Sequence, residues 1–253
     1  MTYIQSVKNQ QVKEWRKLLT KKGRDRTGTY IIEGFHLVEE ALQSRQEIVS
    51  LMIDENVDIP LHWDLQAFPT TTITAEVSAH LSSTETSQGV FAICRIPKFN
   101  VSTLKGSTFL LLDAIQDPGN LGTMIRTADA AGIDAVILGE GTVDVYNSKV
   151  IRAAQGSHFH LPILTGQLPE WIQKLQNQQI PVYGTALEGG VSYKTVQSST
   201  SFALLVGNEG NGVAKTHLSL TTSNLYIPLY GKSESLNVAV ATGILLYHLK
   251  DAN

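Results

Sequence analysis

Three segments of the chain combine glycine with polar side chains at points where predicted strands end. They are DAIQDPGNLGTMIRTADAAG (113–132), LLVGNEGNG (204–212) and IPLYGKSESLN (227–237). In a parallel α/β sheet, ligands bind outside the carboxyl ends of the strands, so we expect the three segments to converge on one edge. Glycine lets the backbone approach a flat ligand closely, while amide, carboxylate and guanidinium groups can orient a substrate. The sequence therefore predicts a ligand site at this edge.

The tripeptide Gly231-Lys232-Ser233 suggests a phosphate-binding P-loop, but the spacing is wrong. A P-loop requires G-x-x-x-x-G-K-[ST], which would place its first glycine at the position of Tyr226. The run GNEGNG is G-x-x-G-x-G, whereas the Rossmann fingerprint is G-x-G-x-x-G. Both spacings argue against an enzyme that uses a nucleoside triphosphate or a dinucleotide.

Single residues of these segments also have ordinary structural interpretations. Asn120 is predicted to cap a helix, and Arg126, on the second turn of that helix, could pair with a nearby aspartate. Ser235 is predicted to cap the terminal helix. Glu209 lies among three glycines, where a carboxylate adds nothing to a turn, so a functional role is favoured. The histidines lack the spacing of metal ligands, and we predict no metal site.

The composition is that of a globular protein, with 42% hydrophobic and 17% charged residues among 253, which permits two domains of ordinary size. The single cysteine, Cys94, excludes an internal disulfide and suggests a reducing compartment. Its apolar surroundings (GVFAIC) predict a buried, inert thiol. Neither a secretory signal nor an apolar run long enough to cross a membrane is recognised, so we expect a cytoplasmic protein without a membrane partner.

Basic residues are concentrated near the start of the chain, although the net charge is −3. The basic side chains within residues 8–26 are Lys8, Lys13, Arg16, Lys17, Lys21, Lys22, Arg24 and Arg26. Only Glu14 and Asp25 oppose them in that segment. Such a cluster can concentrate a polyanion, but it is also typical of a solvated helix face.

The pattern along the chain predicts an α/β protein with two domains. Residues 7–22 are predicted to form a helix capped by Ser6, and residues 1–97 a small α/β domain. Residues 98–106 are the predicted linker. Over residues 107–253, short unbroken apolar strands such as TFLLLD and FALLVG alternate with helices, which indicates a parallel sheet covered on both faces.

Taken together, the three segments resemble the signature motifs of the SpoU (TrmH) class of RNA 2′-O-ribose methyltransferases, in the SPOUT superfamily. Asn120 through Arg126 and Gly132 match the first motif, LLVGNEGNGV the second and IPLYGKSESLNVAVATGILLY the third. The resemblance implies a C-terminal deep trefoil knot, a rare exception among folds. It also implies a homodimer that pairs through the knotted domain. The N-terminal half, with IIEGFHLVEEAL and GVFAIC, resembles a substrate-binding domain that is like the kink-turn-binding ribosomal proteins.

The resemblance also implies a cofactor and its site. The cofactor is S-adenosylmethionine (AdoMet), bound mostly through backbone groups. The residues that the resemblance assigns to its binding are Thr185, Leu187, Gly207, Asn208, Glu209, Gly210, Ile227, Leu229 and Leu236.

The implied reaction is methyl transfer to a ribose 2′-hydroxyl, whose proton must be taken or shared as it attacks. By resemblance, Arg126 contacts the ribose or its phosphate and accepts the proton. Alternatively, Arg126 holds these groups while the proton leaves through water, because a guanidinium normally stays protonated. The residues expected to orient Arg126 and the substrate are Asn120, Glu209, Ser235 and Asn237.

RNA is the expected partner. The residues predicted to contact it are Lys13, Lys17, Lys21, Lys22, Arg24 and Arg152. Ribosomal RNA is the favoured substrate, because the N-terminal domain resembles that of members that modify ribosomal RNA. The alternatives are a tRNA ribose methyltransferase and a non-catalytic RNA-binding protein.

Overall fold

The computed structural model describes residues 2–44, 46–99 and 104–250. Residues 100–103 of the predicted linker lie outside the described residues. The chain forms two compact units. The first contains Met1–Lys98 and Tyr146–Phe159, and the second contains Phe99–Val145 and His160–Asn253.

The regular elements alternate between strand and helix along much of the chain. The strands are β1 (Thr2–Ile4), β2 (Thr29–Glu33), β3 (Ile48–Asp54), β4 (Thr70–Ile73), β5 (Val90–Arg95), β6 (Thr108–Leu112), β7 (Ala135–Leu138), β8 (Ile163–Thr165), β9 (Val182–Thr185), β10 (Val191–Ser192), β11 (Phe202–Val206) and β12 (Ser223–Tyr226). The α-helices are α1 (Gln10–Lys17), α2 (Lys21–Thr27), α3 (Phe35–Gln43), α4 (Ala75–Leu81), α5 (Pro118–Ala130), α6 (Ser148–Ala154), α7 (Leu168–Asn177), α8 (Lys215–Leu218) and α9 (Val238–Leu249).

The first unit is built on a mixed sheet with the strand order β1-β4-β3-β5-β2. Strands β1, β4 and β3 are parallel, and β5 runs antiparallel to both β3 and β2. Along β2, Tyr30 and Ile32 pack with α3, whereas Ile31 packs with α1 and α4. The strand period of two thus buries apolar side chains on both faces of the sheet.

Cys94 on β5 is buried, as predicted. Burial raises the pKa of its thiol well above the usual range, because the thiolate would lose its hydration. The thiol therefore stays protonated at neutral pH and is inert, in agreement with the sequence analysis.

The predicted helix over residues 7–22 is two helices, and Ser6 is not its cap. Helix α1 starts after Asn9, whose side chain accepts a hydrogen bond from the Gln11 amide at 2.8 Å. Thr20 caps α2. A Cβ on Gly23 would lie 2.0 Å from the Lys17 carbonyl oxygen, so only glycine permits the close approach of the two helices.

Residues 146–159 pack with the first unit, although the sequence pattern placed all of residues 107–253 in one domain. Ile151 of α6 is buried in the core that contains α3. The rings of Tyr30 and Tyr146 have centroids 4.4 Å apart. The first unit is therefore discontinuous in sequence.

The second unit contains a parallel sheet with the order β10-β12-β9-β11-β6-β7-β8. Every adjacent pair of these strands is parallel. Helix α7 packs on one face, against Phe109, Leu111 and Leu205. Helices α5 and α9 contact each other, and α9 also contacts β11. The predicted parallel α/β sheet is thus confirmed.

Candidate active site

The sheet of the second unit brings the three polar segments to one edge, as the sequence predicted. Strands β12, β9, β11 and β6 are adjacent, and Leu225 pairs with Thr185 while Val206 pairs with Leu112. Because these strands are parallel, the residues that follow them emerge at the same side of the sheet. Those residues include the loops around 113–120, 185–187, 207–214 and 227–237.

A chain of side-chain hydrogen bonds joins the three segments. Asn237 donates from Nδ2 to Oδ1 of Asn120 at 3.0 Å. Asn120 donates in turn from Nδ2 to Oε1 of Glu209 at 3.1 Å. Glu209 is exposed, so its carboxylate faces solvent at the strand edge. We call these three residues the Asn–Asn–Glu relay.

Backbone capping fixes the orientation of the relay. Asp117, not Asn120, caps α5 and accepts a hydrogen bond from the Asn120 amide at 2.7 Å. Asn237, not Ser235, caps α9, and its Oδ1 accepts from the amides of Ala239 and Val240. The predicted caps were therefore wrong. Since Oδ1 of Asn237 is used in capping, Nδ2 is the group directed at Asn120.

The glycine-rich loop of residues 207–214 is held tightly at its base. Asn208 and Gly212 exchange two backbone hydrogen bonds of 3.0 and 2.9 Å. The Asn208 side chain donates to the Ala114 carbonyl at 2.9 Å and accepts from the Gly210 amide at 2.8 Å. A Cβ on Gly207 would lie 2.1 Å from the carbonyl carbon of Gly212, so no other residue fits there.

Arg126 and Ser235 are the predicted catalytic residues outside the relay. Arg126 lies exposed on α5, and among the described residues its side chain makes no hydrogen bond or ion pair. Ser235 is exposed in the loop before α9, and its carbonyl accepts from the Ser233 hydroxyl at 2.7 Å. The structure does not join either residue to the relay, and both are accessible to a substrate.

The predicted cofactor residues follow three neighbouring strands. Thr185 is the last residue of β9 and Leu187 comes shortly after it, Gly207 to Gly210 follow β11, and Ile227 and Leu229 follow β12. Leu187 is 65% exposed and Leu236 is 37% exposed, so both present apolar surface to solvent. Exposed apolar side chains and a close-packed glycine loop are the kinds of group that suit a flat, neutral ring such as adenine. The residues present therefore fit AdoMet.

Sequence reasoning missed the roles of two carboxylates at this edge. Asp113 is 7% exposed and accepts hydrogen bonds from His217 and the Ala214 amide. Asp117 is the cap of α5. The Asp-Pro-Gly order was a usable signal for Asp117, because proline favours the first helical turn after a capping residue. No local pattern marked the pairing of Asp113 with His217.

The sequence profile of the SpoU rRNA Methylase family matches residues 107–247, more than half of the chain. This chain belongs to the SpoU rRNA methylase family. A second profile, the MRM3-like substrate binding domain, matches residues 9–92. Both matches agree with the resemblance that the motifs indicated.

Relatives of this SpoU methylase match it over nearly its full length. The 23S rRNA (guanosine(2553)-2′-O)-methyltransferase RlmP of Bacillus subtilis (strain 168) is 50% identical over 252 residues, covering 99% of this chain and 100% of that protein. A solved AdoMet-bound rRNA methyltransferase from Sinorhizobium meliloti is 32% identical, with a TM-score of 0.89 and coverage of 98% and 97% of the two chains. A solved RNA 2′-O ribose methyltransferase is 29% identical, with a TM-score of 0.84 and 98% of each chain covered.

The residues predicted to contact RNA do not share one environment in the first unit. Lys13, Lys17, Lys21 and Lys22 are exposed. Lys17 pairs with Glu14 at 2.6 Å and Lys21 with Asp25 at 2.7 Å, but exposed pairs of this kind are weak and exchange readily.

The two arginines of this set are engaged within the first unit. Arg24 is 4% exposed and donates to the Leu18 carbonyl at 2.8 Å, so the structure gives it a role in holding α2. Arg152 is half-buried and donates to the Ser83 hydroxyl at 2.6 Å. We therefore leave Arg24 out of the RNA surface proposed below.

Replacing Asn237 with serine separates the two tasks of this residue. Serine caps helices well, so we expect the free energy of unfolding to fall by less than about 1 kcal/mol. Serine lacks the Nδ2 amide that donates to Asn120, so the methylation rate should fall by roughly tenfold or more. Thermal unfolding and initial rates measure the two effects. Equal activity of Asn237→Ser and the unchanged enzyme would show that the hydrogen bond from Asn237 to Asn120 is not needed for methylation.

Proposed function

We propose that this SpoU family enzyme transfers the methyl group of AdoMet to a ribose 2′-hydroxyl of 23S ribosomal RNA. The 50% identity to RlmP over nearly the whole chain carries the proposal, and it favours the guanosine that corresponds to 2553 in that enzyme's substrate. The Asn–Asn–Glu relay supports the chemistry, because it places amide and carboxylate groups beside the loops that fit the cofactor.

The residues act mainly by positioning. AdoMet supplies an electrophilic methyl group on a sulfonium. The methyl transfers in line, so holding the 2′-hydroxyl at the correct angle supplies much of the rate. In this proposal the relay fixes the Glu209 carboxylate, and Ser235 contacts the ribose near it. Both groups are exposed at the strand edge and available to RNA.

Arg126 binds the substrate phosphate or ribose in this proposal. Its guanidinium has donors in a fixed fork that suits phosphate oxygens. Since its side chain has no hydrogen-bond partner among the residues that the structure describes, it is available for this contact. Two routes remain for the hydroxyl proton. In the first, Arg126 accepts it. In the second, it leaves through water while Arg126 holds the hydroxyl.

The decisive experiment uses RNA from a strain that lacks the gene. The purified protein is incubated with AdoMet and total RNA, and 2′-O-methylated positions are mapped before and after. We expect one new methylation, in 23S rRNA. Methylation of tRNA alone would support the tRNA alternative. AdoMet binding without methylation of any RNA, or no binding at all, would contradict the proposal.

We further propose that the exposed lysines of α1 and α2 contact RNA phosphates. Changing Lys13, Lys17, Lys21 and Lys22 to glutamine should weaken RNA binding and lower the salt slope of the binding constant by about 3, because each lost phosphate contact removes roughly 0.7–0.9. Filter binding or fluorescence anisotropy at several salt concentrations measures the slope. The matched control changes the same four lysines to arginine and should keep it. An unchanged slope in the glutamine variant would show that the segment is a solvated helix face.

Helix α9 supports the proposed homodimer through the second unit. Val240, Ile244 and Tyr247 lie at spacings of four and three, so they share one face, and all three are exposed. The opposite face is buried through Thr242, Leu245 and Leu246. A helix that is apolar on all sides is normally covered on all sides, and a second copy would cover this one. Light scattering during gel filtration should give the mass of two chains, and a single-chain mass would rule the dimer out.

We also propose the knot that the resemblance implies. Contacts of the last described residues support it: Lys250 donates to the Gly132 carbonyl at 3.0 Å, and the Ser199 amide donates to the Leu249 carbonyl at 2.8 Å. Leu249 and Lys250 thus contact segments that precede them by many residues. A crystal structure in which the main chain does not pass through one of its own loops would contradict the knot.

For the two halves of the chain, we propose that residues 1–97 form an RNA-binding domain like the kink-turn-binding ribosomal proteins, and that 107–253, apart from residues 146–159 that pack with the first unit, form the methyltransferase domain. The match of residues 9–92 to a substrate-binding domain supports this division. Binding of a kink-turn RNA by the full protein would test the likeness.

Among the described residues, no helix is long and apolar enough to cross a membrane. A ribosomal RNA substrate would place the enzyme in the cytoplasm, which cell fractionation can test.

A further inference from the structure

Asp113 is a buried carboxylate directly after β6. Its amide donates to the Val206 carbonyl at 2.8 Å, which continues the pairing of β6 with β11. Its Oδ2 is 2.9 Å from the Ala214 amide and 2.9 Å from Nδ1 of His217. A carboxylate away from water needs such donors, since leaving one unsatisfied is costly. Within the described part of the chain, His217 therefore supplies one of the two hydrogen bonds that the Asp113 carboxylate accepts.

Asp113 and Ala114 hold opposite ends of the glycine-rich loop. Ala114 accepts from the Asn208 side chain at the start of the loop, and Asp113 accepts from the Ala214 amide at its end. Glu209 projects from this loop to Asn120 of the relay. Ala114 has a φ of 55°, a left-handed conformation that is uncommon for a residue other than glycine. The turn at residues 113–114 is thus maintained by its contacts.

We propose that His217 is a positioning residue for the cofactor loop. Its Nδ1–H holds the Asp113 carboxylate, and Asp113 holds Ala214. His217 thereby fixes the Ala214 end of the glycine-rich loop, and Asn208 and Glu209 lie in the same loop. This inference rests on the proposed function, because the loop is the one assigned to AdoMet. An ionised carboxylate can only accept, which assigns the proton of this hydrogen bond to Nδ1. The side chain of His217 is 19% exposed and lies in α8, outside the relay.

Two amide replacements separate the hydrogen bond from the rest of the side chain. In asparagine, the amide nitrogen lies close to the position of the imidazole Nδ1. In glutamine, it lies one bond further, near the position of Nε2. His217→Asn therefore keeps a donor for Asp113, whereas His217→Gln and His217→Ala remove it.

The expected result is a difference in AdoMet affinity. Loss of a hydrogen bond to a charged group should raise the Kd of AdoMet about tenfold in His217→Ala and His217→Gln. His217→Asn should stay within about twofold of the unchanged protein. The KM for AdoMet should rise in parallel, and kcat at saturating AdoMet should change less. A matched control is His248→Ala, which also removes a histidine hydrogen bond from the second unit, to the Val196 carbonyl, and should leave the Kd unchanged.

Calorimetric titration of AdoMet in the absence of RNA makes the test independent of methylation. If His217→Asn binds as weakly as His217→Ala, or all three variants bind like the unchanged protein, the inference is wrong. Should His217→Ala fail to fold, the comparison of asparagine with glutamine decides alone, because both keep a polar side chain. If the unchanged protein binds AdoMet but methylates no RNA, the proposed function fails while the binding comparison still tests His217.

Discussion

Replacing Arg126 with alanine is expected to lower kcat by about 10³-fold, with little change in AdoMet affinity or in stability. The side chain is exposed and makes no hydrogen bond or ion pair within the described part of the chain, so its removal costs no contact of the fold. The loss should therefore appear in the reaction itself. Initial rates at saturating AdoMet, together with calorimetry and thermal unfolding, separate the three quantities.

Lysine at position 126 is the informative control. It keeps the positive charge but lacks the planar fork of the guanidinium. If Arg126 acts only as a charge for a phosphate, Arg126→Lys should recover much of the rate. If the fork holds both phosphate and hydroxyl, or accepts the proton, the lysine variant should be nearly as slow as the alanine variant. Full activity of Arg126→Ala would exclude Arg126 from the reaction.

Replacing Gly207 with alanine is expected to weaken AdoMet binding by at least about 100-fold, because a backbone shift here moves several contacts together. The added Cβ would lie 2.1 Å from backbone atoms of Gly212 and Val213, a distance that real Cβ atoms essentially never show. The backbone hydrogen bonds between Asn208 and Gly212 must then change, and with them the loop that carries Glu209.

Gly231→Ala provides a matched control for this substitution. Gly231 lies in the exposed loop before α9, and a Cβ there would meet nothing within 4 Å. The Gly231→Ala variant should therefore bind AdoMet like the unchanged protein. Circular dichroism and melting curves must show that Gly207→Ala remains folded, with the damage confined to the loop. Normal AdoMet affinity in a folded Gly207→Ala protein would show that the close packing of Gly207 and Gly212 is not needed for the cofactor.

Much of the second unit could be predicted because its strands are buried on both faces. Such strands appear as unbroken apolar runs, and TFLLL and FALLV are β6 and β11. The P-loop could also be rejected from the sequence alone, because the motif has a fixed spacing and Tyr226 occupies the position of its first glycine. The segments following β6, β11 and β12 could be assigned to one edge because parallel strands end together.

The partner of each polar side chain was decided only by the tertiary structure. Asp117, Asn120, Ser235 and Asn237 are all residue types that cap helices, so local preference could not choose among them. The sequence could not distinguish Arg24 from the exposed lysines beside it. Only the structure shows that its side chain donates a hydrogen bond to the Leu18 carbonyl.

The same limit applies to the site as a whole. The bond from Asn120 to Glu209 spans 89 positions in sequence, and that from His217 to Asp113 spans 104. Residue type and short-range spacing establish which groups can donate or accept, and in this chain they indicated the family, the cofactor and the edge of the sheet. Which groups meet depends on how distant segments pack, because hydrogen bonds require contact within about 3 Å.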